Sequence, residues 1–126
     1  MNQNLLRLVG AATAAYGVAV TLRPGWLARP SGLTGPDGAS LPGVDTCIRP
    51  LVLRDAACGL AMLLAPDRSS LRTAALVRVA SDLGDAALLA TALPARRHRV
   101  MAVVVSVGWG ALSVAGLVWP EGTAKP

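Results

Sequence analysis

The sequence contains no phenylalanine, one tyrosine (Tyr16), one histidine (His98) and one lysine (Lys125). It also carries only 7 acidic residues against 12 basic ones, and only 2 cysteines. A soluble domain of this length normally has a more aromatic core and a more charged surface, so the shortage of both argues against one. The net charge of +5 does not point to nucleic acid, which needs a solvated basic stripe with aromatic or polar readers. Here the arginines sit at helix ends or inside apolar runs, and anionic membrane lipids are the expected counterpart.

Cys47 and Cys58 fall on one expected helix, eleven residues apart. At 1.5 Å per residue they stand about 16 Å from each other, too far for a disulfide. No His or Cys partner stands at ligand spacing, so no metal is expected and the cysteines read as small packing residues. The glycines match neither dinucleotide nor phosphate-loop spacing, so no cofactor is expected. His98 lies within the Arg96–Arg99 cluster and reads as a solvated surface group.

Apolar residues make up 53% of the chain and stand in four long blocks: Leu5–Leu22, Leu51–Ala65, Leu71–Leu93 and Val100–Trp119. Each is near the length of about 20 residues that spans a hydrocarbon core of about 30 Å. The expected architecture is all-α, a single integral membrane four-helix bundle over 1–126. Its topology is up-down, with helices at about 4–22, 47–65, 70–93 and 99–119 and a long loop between the first two. Arg7 followed by Leu8–Leu22 has the outline of a signal peptide, but the run lacks a small-residue cleavage site and ends at Arg23-Pro24, so it reads as a retained helix.

Gly10, Ala14 and Gly17 give the first helix a stripe that admits a close neighbour, and Ser106, Gly110 and Ser113 do the same for the last. The segment RPGWLARPSGLTGPDGASLPGVDT, residues 23–46, has four prolines and five glycines and no apolar periodicity. It reads either as a lid with Trp26 and Leu27 at the headgroup layer or as a plain surface connection. Asp45 or Thr46 is the expected N-cap of the second helix, Pro50 falls in its first turn, and Pro66-Asp67-Arg68-Ser69 turns into the third. Arg23, Arg29, Arg96, Arg97 and Arg99 share one side of the bundle, with Arg7, Arg68, Arg72 and Lys125 on the other. The positive-inside rule then puts both termini outside the cytoplasm of a bacterial plasma membrane.

The informative residues are Arg49, Arg54 and Asp55 on the second helix and Arg78, Asp82 and Asp85 on the third. A charge at a helix centre in the bilayer costs on the order of 2.5 to 3.5 kcal/mol, so a compensating partner is expected for each. In an antiparallel hairpin turning at Asp67-Arg68, Arg49 matches Asp85 in depth, Arg54 matches Asp82 and Asp55 matches Arg78, and the six charges cancel. Arg78, Asp82 and Asp85 share one helical face; Arg49, Arg54 and Asp55 spread around theirs.

Two functions fit this pattern. In the first, Asp82, Asp85 and Asp55 are the catalytic acid and base groups of a cofactor-independent cyclase or isomerase acting on a lipophilic isoprenoid- or polyketide-like substrate. Arg54, Arg78, Arg49, Tyr16 and Trp109 then bind substrate or tune charge. The chemistry is similar in concept to that of small membrane-bound terpene cyclases. In the second, the same pairs are interhelical salt bridges of a non-enzymatic accessory subunit, which packs through its glycine stripes on a second copy or a larger membrane partner. A proton-coupled transporter is less well matched, since no broken-helix repeat is evident.

The Arg54-Asp55 pair and the Arg78 to Asp85 segment, with its Gly84-Asp85, resemble those of an uncharacterised family of small four-helix bacterial membrane proteins. That resemblance implies the four-helix topology and no established activity.

Overall fold

A computed structural model of the chain describes residues 1–122. Lys125, counted above with the termini, lies outside the described residues. The helices are α1 (Gln3–Leu22), the single-turn α2 (Gly25–Ala28), α3 (Val44–Leu64), α4 (Arg68–Ala92) and α5 (Arg96–Val118). The four long ones pack as an up-down bundle, with the expected loop after the first.

The helix ends follow from local chemistry. Asn2 caps α1, its side chain accepting from the Leu5 N–H at 3.0 Å, and Asp67 caps α4 by accepting from the Ser70 N–H at 2.7 Å. Both satisfy amide donors that the first turn leaves without helical partners. The C-terminus of α3 is closed by Arg7, which donates to the carbonyls of Leu63 and Ala65 at 2.7 and 2.9 Å, a cation where the helix dipole is negative.

The start of α3 differs from expectation. Its N-cap is Gly43, at φ +80°, not Asp45 or Thr46. The left-handed turn after Pro42 suits glycine, and Asp45 drops into the first turn where its charge faces the dipole. Pro50 therefore lies nearly two turns inside the helix rather than in its first turn. Its missing N–H leaves the Thr46 carbonyl without its usual donor.

Packing divides the bundle into two tight antiparallel pairs, α1 with α3 and α4 with α5, joined along thinner seams. In the first pair the backbones touch. A Cβ on Gly59 would fall 2.5 Å from both the Ala14 nitrogen and the Gly10 oxygen, and one on Gly17 would fall 2.6 Å from the Val52 oxygen. The α3–α4 hairpin is looser, and charged side chains occupy its gap. The stripe on α5 is also spent internally: Gly110 stands against Asp82, Gly116 against Leu6, and Ser113 is fully buried.

Apolar clusters close both ends of the bundle. Leu6, Val9, Met62, Leu71 and Ala75 pack near the termini, and Val20, Ala28, Ile48 and Val52 pack near the loop. The loop is more ordered than its composition suggests: Ala28 of α2 is fully buried, Thr34 and Ser40 form a β-bridge, and Gly32, at φ +71°, lies against the His98 imidazole. His98 is accordingly half-buried as a loop contact and not the solvated group expected. Trp26 stays exposed beneath the Arg23 guanidinium, 5.8 Å from its ring centroid. Two helices, α1 and α5, are long and apolar enough to cross a membrane. The charges on α3 and α4 keep those helices from meeting the same criterion.

Candidate functional site

Between the two apolar clusters lies a cavity of about 220 Å³ to which every long helix contributes. Thr13 and Tyr16 come from α1, Leu51 and Asp55 from α3, Arg78, Asp82, Asp85 and Leu89 from α4, and Val105, Ser106 and Trp109 from α5; Leu27 of α2 covers the loop end. The cavity sits where the tight pairs part. It exists because glycines hold α1 to α3 while arginines and aspartates hold α3 off α4.

The charged groups form one chain across that gap. Arg54 Nη2 lies 2.6 Å from Asp85 Oδ2 and 3.0 Å from Asp55 Oδ1. Arg78 Nη1 reaches the same Asp55 oxygen at 3.0 Å, its Nε donates to Asp82 Oδ2 at 3.1 Å, and its Nη2 donates to Asp82 Oδ1. Asp55, Arg78 and Asp82 are buried, whereas the Arg54 side chain is 37% exposed.

Of the three pairs expected from depth, only Asp55 with Arg78 forms. Arg54 takes Asp85 and not Asp82, because Asp82 is held by Arg78 one turn earlier on its own helix, an i,i+4 pair with ideal reach. Arg49 takes no part: five residues from Arg54, it points about 140° away around α3 and is exposed, without an ion pair among the described residues. The expected cancellation of six charges is thereby replaced by three carboxylates facing two guanidiniums. The ionised cluster carries one net negative charge, with Asp55, Arg78 and Asp82 buried and Arg54 at its exposed edge.

Tyr16 and Trp109 both line the cavity, Tyr16 remaining 45% exposed. Trp109 Nε1 donates to Thr13 Oγ1 at 2.7 Å, and that hydroxyl donates onward to the Val9 carbonyl at 2.8 Å. The indole is thus fixed across the α1–α5 seam. Thr13 escaped notice in the sequence, although its place between Gly10 and Gly17 on the packed face of α1 was the available signal. Leu51, Leu89 and Val105, the apolar walls, carry no signal that separates them from lipid-facing residues.

A larger and more open groove of about 810 Å³ lies at the other end of the bundle, between α4 and α5. It is lined by Arg68, Ser69, Arg72, Met1 and apolar side chains of α4 and α5, with no carboxylate among the described residues; the carboxylates gather in the smaller cavity. The chain matches no protein-family model, no curated protein and no solved structure.

Proposed function

We propose that this chain is a polytopic membrane protein whose central cavity carries out cofactor-independent acid/base chemistry, of cyclase or isomerase type, on a small lipophilic substrate. The observation that carries the proposal is the odd charge: three carboxylates and Arg78 line a cavity with apolar walls, and Arg54, paired with Asp55 and Asp85 from beside it, is the one further guanidinium in the cluster. An isolated negative charge in a low-dielectric site is costly, and one proton balances it. The cluster then holds both a proton donor and carboxylate acceptors, the minimum for moving a proton onto one atom of a substrate and off another. In this scheme Asp82 or Asp85 is the acid and Asp55 the base, with Arg54 and Arg78 positioning them. A proton passes to an alkene carbon or an oxygen of the substrate, a carboxylate removes one from carbon, and the product keeps the substrate's composition.

Membrane embedding is supported by where the apolar side chains point. Leu53, Leu60 and Leu64 of α3 and Leu76, Val77, Leu83 and Leu88 of α4 face outward, as do Leu8 of α1 and Val104 of α5. Even the charged helices therefore present many apolar side chains outward and turn Asp55, Arg78 and Asp82 inward, as a lipid-embedded bundle requires, while Arg49 and part of Arg54 stay exposed. The cavity is smaller than the about 300–1,000 Å³ of drug-sized pockets and corresponds to about seven water volumes at about 30 Å³ each. It suits one isoprenoid unit or the reactive end of a longer chain.

A second reading has its own support, since each carboxylate in the cluster already has a guanidinium partner. In that reading the cluster only fixes the packing of an accessory subunit. The two separate in a comparison of total lipid extracts from cells producing the wild type or Asp82→Asn at equal folded yield. Catalysis predicts a product of unchanged mass and altered chromatographic retention that disappears in the variant. Identical extracts would leave the structural role.

A further inference from the structure

The open groove between the start of α4 and the end of α5 joins two features that a single amphiphile satisfies. Arg68 and Arg72 are one turn apart on the same face of α4, both exposed, and among the described residues neither has an ion pair or a side-chain hydrogen bond. The nearest carboxylate in sequence, Asp67, is occupied with the Ser70 amide and hydroxyl at 2.7 and 3.0 Å. Inward from the arginines the walls become apolar, with Leu76 on α4 and Val114, Leu117 and Val118 on α5. Leu76 stands eight residues from Arg68, about 12 Å along the helix at 1.5 Å per residue. Two unpaired cations thus stand at the bundle end, above a hydrocarbon-lined trough running toward the bundle centre.

We infer that this groove binds one anionic phospholipid, its phosphate between Arg68 and Arg72 and its acyl chain along Leu76, Val114 and Val118. Guanidiniums recognise phosphate by paired N–H donors, and the apolar walls give a chain a surface that a soluble phosphate does not use. The inference rests on the proposed membrane location and is independent of the proposed catalysis.

The test uses the full chain, first shown to stay with carbonate-washed membranes so that its location is settled separately. The protein is then stripped of lipid in detergent and titrated with phosphatidylglycerol or phosphatidylcholine of identical acyl chains, with bound lipid counted by native mass spectrometry. One phosphatidylglycerol is expected to be retained at least tenfold more tightly than phosphatidylcholine. Arg68→Gln/Arg72→Gln is expected to remove that preference and Arg96→Gln/Arg97→Gln, at the opposite end, to keep it. Leu76→Asn weakens phosphatidylglycerol while leaving its head-group preference. Equal retention of the two lipids, or equal loss of preference in both double variants, overturns the inference. So does glycerol 3-phosphate binding as tightly as phosphatidylglycerol, which would make the groove a free-phosphate site.

Discussion

Arg54 Nη2 and Asp85 Oδ2 stand 2.6 Å apart across the α3–α4 seam, and this contact, with Asp55–Arg78, ties one tight helix pair to the other. Arg49, on the same helix and of the same type, contributes nothing to it. Arg54→Gln is therefore expected to lower unfolding free energy by about 1–3 kcal/mol, below the roughly 3–5 of a fully buried pair because Arg54 is partly exposed. Arg49→Gln should stay within about 0.5 kcal/mol. Thermal denaturation of both in the same detergent checks the contrast, and equal effects would remove Arg54 from its special position.

Arg78 faces two carboxylates and is almost completely buried. Arg78→Met should be the most damaging of the charge substitutions, by roughly 3–5 kcal/mol, since it strands the buried Asp82 and leaves Asp55 to Arg54 alone. Adding Asp82→Leu to it should recover part of that loss, because the stranded charge is gone. A double variant less stable than the single one would contradict this account of the cluster.

Backbone contact in the α1–α3 pair makes Gly59→Ala a steric substitution: its methyl lands on the Gly10 and Ala14 backbone. Loss of folded, monodisperse protein is expected in size-exclusion chromatography. Gly84, in mid-α4, has nothing within 4 Å of its Cβ position. Gly84→Ala should instead stabilise the fold by up to about 1 kcal/mol through helix propensity.

The Ser70 amide, followed by the Ser70 hydroxyl, holds the Asp67 carboxyl below its usual range. The stability this contributes is complete above the ordinary carboxylate pKa of about 4 and is lost as pH falls through the lower folded value. Asp67→Asn still accepts from the amide but cannot titrate there. Its melting temperature is expected to fall less steeply than that of the wild type on acidification below about pH 4.

Much of this arrangement was legible in the residues. Four helices followed from block length, and Asp55 opposite Arg78 followed from matched depth in the hairpin. Depth could not assign Asp82, because it ignores the competing partner one turn away on the same helix; Arg78–Asp82 spacing already contained that competitor. It also could not exclude Arg49, whose angular position matters as much as its height. The α1 stripe was visible, but its receiving surface was not, since Gly59 gains meaning only when Gly10 and Ala14 are seen against it. The order in the proline- and glycine-rich loop comes from tertiary contacts of Ala28 and Gly32, for which no local pattern exists.

The meeting of backbones at Gly10, Gly17 and Gly59 also determines how the molecule can breathe. Helices already in van der Waals contact have no room to yield, so α1 and α3 move together as one stiff half. The α3–α4 and α1–α5 seams are instead crossed by side chains: Arg54–Asp85 and Arg78–Asp55 on one side, Trp109–Thr13 on the other. Any separation of the two halves must break these bonds, so the groups that line the chamber are also the ones that hold it shut.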